Sequence, residues 1–439
     1  MTELLNMPQY KTYKASGYLW IGNVPNEWEV TKLGACLSPV SIKNQANLPL
    51  LSITRELGVI VRDINDQESN HNFIPEDLSG YKLLENGQFG MNKMKAWQGS
   101  YGVSKHTGIV SPAYYVFNFT KVIHPEFFNW AIRSKLYVSF FGSASDGVRI
   151  GQWDLSKERM KAIPFLLPSK SEQVAITDFL DKKTDQIDEA VAIKQQQIEL
   201  LKERKQIIIQ QAVTQGLEPN LPLKDSGIDW IGKTPEHWEI IKLKHLFTEV
   251  NKRTKTGKEI LFSLRMIQGL VPHDSVSDKP IPDESLIDYK IVEPSQLVMN
   301  RMRASIGIFG VAENHGLVSP DYAVFDISSN ADKTYFLKLF KTTLMGTQFR
   351  LNSRGLGTGS SGFMRLYTES FGDIKIPFPS FGEQLKINKH IAEHEKKIEQ
   401  ATELLESQIK KLKEYKTTLI NSAVTGKIKV PQAQDCVLS

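Results

Sequence analysis

Few stretches of this 439-residue sequence place side chains at spacings that would do chemistry. The run "GLGTGS" (355–360) superficially looks like a loop for a nucleotide or for S-adenosylmethionine. No apolar strand leads into it and no helical pattern follows, so it reads as a flexible loop beside Arg354 that can approach a phosphate backbone closely. Asp283, Asp288 and Lys290 in "PDESLIDYK" resemble the acidic pair and lysine of metal-assisted hydrolysis, but at a spacing too short for that arrangement. His390 and His394 stand at helical i, i+4 spacing with no Glu or Cys to complete a zinc set, which favours a solvated helix face. The sequence has no Asn-Pro-Pro-Tyr-like amino-methyltransferase motif and no G-x-x-x-x-G-K-[ST] phosphate loop. Cys36 and Cys436 lie near opposite ends and read as free thiols of a reducing compartment. The expectation is a chain with no catalytic set, no metal site and no cofactor of its own.

Positive charge, in contrast, is patterned. Lys93 and Lys95 alternate with Met91 and Met94, and Arg301 and Arg303 with Met299 and Met302, in what reads as a strand-like run with the cations on one face. Such cations suit phosphate positioning, although an exposed strand edge is also commonly lysine-rich. Base reading needs polar and arginine side chains on loops. Gln98, Ser100, Tyr101, Ser104 and Lys105 are candidates in the first half, with Arg149 a further cation. Arg350, Asn352, Arg354 and Arg365 are the candidates in the second. Loops carry such residues for solubility too. The net charge of +5, from 54 basic and 49 acidic residues, permits a nucleic-acid partner without demanding one.

The elements that hold these residues are written twice. "SGYLWIGNVPNEWEVTKL" (16–33) and "SGIDWIGKTPEHWEIIKL" (226–243) are identical at ten of eighteen positions. "MNKMKA" (91–96) returns as "MNRMRA" (299–304), "GIVSPAYYVF" (108–117) as "GLVSPDYAVF" (316–325), and "EQVAITDFL" (172–180) as "EQLKINKHI" (383–391). The unit of about 210 residues is too long for a solenoid repeat. Within each copy, residues ~20–165 and ~232–376 are rich in aromatic, β-branched, Gly and Pro residues, as strand-rich globular domains are. "AYYVFNF" and "YAVFDI" read as strands, "GSYG" and "RGLGTGSSG" as turns or loops. Ser169 and Ser380 just ahead of Glu-Gln pairs then mark helix starts.

The helices that follow step apolar residues by four and three. In the first, Leu180, Ile187, Val191, Ile198, Leu201 and Ile208 form the seam. In the second it is Ile391, Ile398, Leu405, Ile409, Leu412 and Leu419. Lys194, Lys205, Lys416 and Glu395 interrupt it, either fixing register or snorkelling at its margin. A helix this long has an apolar stripe that needs a partner, and its own duplicate, paired antiparallel, is the simplest one. Trp20, Trp28, Trp230 and Trp238 read as buried anchors packing each globular domain on the helices rather than as base-stacking rings. The N-terminal segment would then meet the end of the second helix as residues 216–232 follow the first.

This alternation, with "SGxxWIGxxPxxWE" opening each unit and "EQ…AVT" helices closing it, resembles the specificity subunit of type I restriction–modification systems over essentially the whole chain. The resemblance implies an α+β fold with two pseudo-symmetric, strand-rich target-recognition domains separated by a long antiparallel two-helix coiled coil. It divides the chain into an N-terminal segment 1–23, recognition domains 24–165 and 232–376, and helical spacers 166–231 and 377–439. It further implies that each recognition domain reads one half of a bipartite double-stranded DNA site. The spacers would set the gap and dock two methyltransferase subunits, and restriction subunits would join the full complex. S-adenosylmethionine, ATP and Mg would belong to those partners. "WQGS" (97–100) has the counterpart "SIGI" (305–308), a difference of the kind two half-sites would need. The rival readings are a single-chain DNA methyltransferase or nuclease with fused recognition domains, and a coiled-coil scaffold with no DNA role. No stretch has the ~18–20 apolar residues of a membrane helix and the N-terminus lacks an apolar signal core, so a cytoplasmic location is expected.

Overall fold

The computed structural model describes residues 7–63, 74–147, 153–279, 281–355 and 364–431. The chain forms two compact units, one of Met1–Lys194 with Glu406–Ser439 and one of Gln195–Leu405. Each long helix is therefore divided between the units. The helices are continuous, Lys170–Gln215 and Phe381–Val424, and begin directly after Ser169 and Ser380.

The first unit is built on a four-stranded antiparallel sheet in the order Leu37–Val40, Tyr115–Phe119, Phe89–Met91, Tyr101–Val103. The second repeats that order with Phe247–Val250, Tyr322–Ile327, Leu297–Asn300, Phe309–Val311. In each unit two short helices cover the sheet: Pro125–Ile132 and Lys135–Ser143 in the first, Lys333–Phe340 and Thr343–Leu351 in the second. They bury Phe127, Phe128, Phe140 and Phe141, or Phe336, Leu339, Phe340 and Phe349. A two-stranded pair then closes each globular part, Glu29–Lys32 with Pro164–Leu167 and Glu239–Lys242 with Lys375–Phe378. The chain thus leaves the globular part next to where it entered.

"MNKMKA" and "MNRMRA" are not strands through their length, as the alternation suggested. Only Met91, and Met299 with Asn300, belong to strands; Lys93–Lys95 and Arg301–Arg303 form a turn into a 3₁₀ segment. "GSYG" also divides, with Gly99 in the turn and Tyr101 and Gly102 in a strand.

The helical seam is buried in its own unit. Leu180, Ile187, Leu419 and, at its margin, Val191 and Leu412 pack in the first core, and Ile391 with Ile209 in the second. Ile198 and Ile409 are also buried, while Leu201, Ile208 and Leu405 are half-buried. The polar interruptions pair across helices. Lys194 donates to Gln408 at 2.7 Å and Lys416 to Asp188 at 2.6 Å in the first unit, so the paired segments run antiparallel. In the second, Lys205 stands 3.4 Å from Glu395 and from Glu399.

A shared clamp joins each globular part to its helix start. Trp28 is fully buried and its indole N–H donates to Glu172 at 3.0 Å; Trp238 donates to Glu383 at 3.1 Å. Both carboxylates belong to Ser-x-x-Glu helix starts, with Ser169 and Ser380 accepting from the Glu backbone. The next residue completes the clamp. Gln173 accepts from the His124 backbone at 2.7 Å, and Gln384 from that of Asp332 at 2.7 Å. At the other helix ends Gly426 and Gly216 adopt left-handed φ of 68° and 77°, and pack on Pro25 with Trp28 and on Pro235 with Trp238. Lys427 then donates to the carbonyls of Ile21 and Asn23, tying the N-terminal segment to the end of the second helix.

Only the second tryptophan of each motif is an anchor. Trp20, expected to be buried, is 55% exposed and leans on Phe140, and Trp230 is half-buried. The first tryptophan sits on the Ser16–Gly22 or Ser226–Gly232 turn, outside the segment that the strand pair and helix enclose.

Candidate nucleic-acid interface

The turn after the central strand is the same in both units. Asn92 and Asn300 are buried, and their side-chain oxygens accept from the backbones of Met94 at 3.2 Å and Met302 at 3.1 Å. Asn92 also donates to the Tyr114 hydroxyl at 3.2 Å, and Asn300 bonds the equivalent Tyr322. Met91, Ala96, Met299 and Ala304 fill the core beneath. The turn is thus fixed from inside, and what it presents outward is charge: Lys93, Lys95, Arg301 and Arg303.

Around that turn, equivalent strands bring further cations. Lys82 in the first unit corresponds by register to Lys290 in the second, and Lys43 to Arg253. Burial lowers the Lys82 pKa, and the charges of Lys43 and Lys93 lower it further. Lys290 is lowered in the same way by burial, then by Arg301 and Arg253 against the opposing Glu249. Four positions therefore carry a cation in both copies: 43/253, 82/290, 93/301 and 95/303. Lys82 donates to the Tyr114 carbonyl at 2.7 Å and the buried Lys290 to Glu249 at 3.0 Å, so at this pair of positions the ammonium is already partnered within the fold.

The four are not equally available. Lys95 and Arg303 are exposed, and neither side chain has an ion partner among the described residues. Lys93 pairs with Asp154 at 3.0 Å. Arg301 is 2.6 Å from Glu249, which also takes Lys290 at 3.0 Å and the Thr368 hydroxyl. Burial would raise the Glu249 pKa, but hydrogen bonds from Thr368 and Lys290 and the two positive charges lower it. The first unit has Pro39 at the position of Glu249.

The base-reading candidates divide. Tyr101, Ser104 and Ser100 are buried, so they do not face a ligand. The Tyr101 ring packs between Phe89 and Phe141, and Ser104 bonds the backbone of His106 on both sides of its hydroxyl. Tyr101 opens a strand that Ser100 and Ser104 flank, because the turn closes at Gly99 rather than running through "GSYG". Gln98 is half-buried on the 3₁₀ segment, and Lys105 is exposed, 3.5 Å from Glu126. Arg350 is exposed in the last turn of its helix, whereas Asn352 caps that helix by donating to Gln348 at 2.9 Å. Arg354 and Arg365 form a backbone bridge, with Arg365 3.3 Å from Asp321 beside Tyr322. Arg149, Cys436 and the glycine run from residue 356 lie outside the described residues; Cys36 is a buried free thiol.

Asp283 opens a 3₁₀ turn and Asp288 occupies a positive-φ position on the same loop, while Lys290 starts the next strand and pairs with Glu249. Among the described residues no three His, Cys, Asp or Glu side chains are grouped to hold a metal, and no helix is long and apolar enough to cross a membrane. Lys43, Arg253, Lys82, Asn92, Asn300, Tyr114 and Tyr322 were not singled out from the sequence, and Lys290 was weighed there only beside Asp283 and Asp288 as a hydrolytic set. The signal was there, as polar identities and basic pairs at a constant offset between the copies.

With this geometry in place, comparison with known proteins is direct. Residues 235–414 match the model of the type I restriction modification DNA specificity domain. The type I restriction enzyme MjaVIII specificity subunit of Methanocaldococcus jannaschii is 26% identical over 314 residues, 67% of this chain and 69% of that protein. The MjaX specificity-subunit relative of the same archaeon is 24% identical over 296 residues, 64% of this chain and 63% of its own length. Among solved structures, a chain from work on the assembly and conformational transition of a type I R-M system gives a TM-score of 0.65 at 12% identity, covering 91% of this chain and 98% of that one. The HsdS subunit from Thermoanaerobacter tengcongensis gives 0.55 at 14% identity over 92% and 98%. The fold is that of type I specificity subunits, and the resemblance drawn from the repeat is borne out. Residues 235–414 thus match that DNA specificity domain, and the chain as a whole is similar to type I specificity subunits.

Proposed function

We propose that this chain is a non-catalytic DNA reader, with recognition domains 24–165 and 232–376 each contacting one half of a bipartite double-stranded site. The duplicated cations of the turn carry this reading: positions 93/301 and 95/303 keep their charge through the duplication while neighbouring loop residues differ, as phosphate positioning beside sequence reading requires. Spacers 166–231 and 377–439, with the N-terminal segment 1–23, hold the half-sites apart by about one or more turns of B-DNA, ~34–36 Å each. They also dock two methyltransferase subunits at equivalent faces. Val174 and Ile193 on the first helix and Leu385 and Leu404 on the second are exposed apolar residues at equivalent positions, which supports two such faces. Restriction subunits, where present, join that complex in the cytoplasm, and S-adenosylmethionine, ATP and Mg act on the partners.

Methylome sequencing of a host expressing this subunit with its methyltransferase partner should show a two-part motif with a fixed non-specific gap. Replacing residues 24–165 with another subunit's domain should change one half only. A change in both halves, or methylation by this chain alone, would refute the reading.

A further inference from the structure

Each unit carries a β-hairpin that composition did not single out. Leu51–Thr54 pairs with Gly58–Val61, and Phe262–Arg265 with Gly269–Pro272, closing at Thr54↔Gly58 and Arg265↔Gly269. Three residues form each tip: Arg55-Glu56-Leu57 and Met266-Ile267-Gln268. Gly58 and Gly269, at φ of 72° and 71°, supply the left-handed residue that a three-residue hairpin loop needs. The inner faces are well packed, Leu51, Ile53 and Val59 in one buried cluster and Phe262 and Leu264 in another. The tips are not. Leu57 is 71% exposed, Met266 50% and Ile267 86%.

A basic residue braces each tip. Arg133, which ends the helix Pro125–Ile132, donates to the carbonyls of Arg55 at 3.0 Å, Glu56 at 2.8 Å and Tyr101 at 2.7 Å. Lys341, which ends the equivalent helix Lys333–Phe340, donates to the Met266 carbonyl at 3.2 Å. Both cations are held by the same element at the same place, although the tips they hold share no sequence. An apolar tip fixed in this way is pre-organised for a partner rather than left loose in water. The charge around it indicates which partner. Arg265, at the hairpin's end, and Arg303, on the cation turn, both bear on the Tyr322 hydroxyl; Arg62, one residue past the first hairpin, bears on Tyr114. Each hairpin also packs on the strand that leaves the cation turn, Gly58 against Gly102 and Gly269 against Gly310, so tip and turn adjoin the same strand.

We propose that the two tips are major-groove probes that set specificity: Leu57 in the first reader, and Met266 and Ile267 in the second, contact the methyl group of a thymine. Arg133 and Lys341 are the positioning residues. A two-stranded ribbon fits the major groove, and thymine is the base that presents a methyl group there. This rests on the DNA-reading proposal above.

The test uses the full chain co-expressed with its methyltransferase partner, read by methylome sequencing and by binding of the assembled complex to matched duplexes carrying thymine or uracil. Ile267→Ala should relax one position of one half-site, and Leu57→Ala one position of the other. Replacing that thymine by uracil should weaken binding of the unaltered complex about tenfold but leave the alanine variant nearly unchanged. Lys341→Met should relax the same position as Ile267→Ala, and Lys341→Arg should restore it. Tip variants that leave the motif strict overturn the proposal, as does loss of all methylation together with loss of non-specific duplex binding. If the unaltered complex methylates no bipartite site, it is the DNA-reading proposal that fails.

Discussion

Replacing Lys95 and Arg303 by alanine, singly and together, should flatten the salt dependence of DNA binding by the assembled complex. Each cation that neutralises a phosphate contributes about −0.9 to the slope of log K against log[salt]. Between 50 and 200 mM salt, one such contact therefore changes affinity by about 3.5-fold, and two by about twelvefold. Lys95 and Arg303 have no ion partner to surrender among the described residues, so each should contribute nearly in full. Lys93 must leave Asp154, 3.0 Å away, and Arg301 must leave Glu249 at 2.6 Å, so their alanine variants should change the slope less. The assay is fluorescence anisotropy of a labelled duplex across that salt range. An unchanged slope in the Lys95/Arg303 double variant, or larger effects at 93 and 301 than at 95 and 303, would show that the charged turns do not meet the DNA backbone.

Trp28→Phe and Trp238→Phe remove the indole donors to Glu172 and Glu383; each should cost about 1–3 kcal/mol in denaturant unfolding, with Trp28 the larger because its carboxylate is buried. Partial burial would raise the Glu383 pKa, but hydrogen bonds from His237, Ser380 and Trp238 lower it to about 2. A folded-state value below the unfolded one stabilises above about pH 4.5 and is lost as pH falls toward 2. Glu383→Gln should therefore lower the melting temperature at pH 7 and reduce the further loss between pH 4.5 and 2; parallel curves for both proteins would contradict this.

What was legible in the sequence is what duplication repeats at fixed spacing. The long helices follow from a seam that Leu180, Ile187, Ile391 and Leu419 do bury, and their starts from Ser169 and Ser380 ahead of Glu-Gln pairs. The strand reading of "MNKMKA" failed for a local reason. Alternating Met and Lys gives a period of two, but the Asn92 side chain bonds the Met94 backbone and bends the chain before the pattern can extend. Trp20 and Trp28 look alike in the motif, yet only Trp28 lies opposite a helix-start carboxylate 144 residues away. The cations at 43 and 82 stand alone in sequence, Arg253 sits in the basic run 252–255 and Lys290 reads there as part of an acidic loop, and only strand register brings them to the turn.

The two readers keep the same cations but not the same electrostatics, because of one position. Glu249 and Pro39 occupy equivalent edge-strand positions, opposite Phe325 and Phe117. In the second unit the carboxylate offsets part of the charge of Lys290 and Arg301; in the first, no residue at that position offsets Lys82, whose pKa falls under burial and the charges of Lys43 and Lys93. The first reader should then hold phosphate chiefly by charge. The second, with Arg253, Arg301 and Arg303, relies more on the fixed donor geometry of guanidinium groups. Pro39→Glu should reduce the salt slope by up to about one phosphate contact, and Glu249→Gln should steepen it by a similar amount. Glu249→Gln also leaves the nearly buried Lys290 without its carboxylate, a loss of about 3 kcal/mol in stability, so binding is compared where circular dichroism shows both variants folded. Slopes that move in the same direction in the two variants would mean that position 39/249 does not tune phosphate contact, and that the divergence there serves only packing.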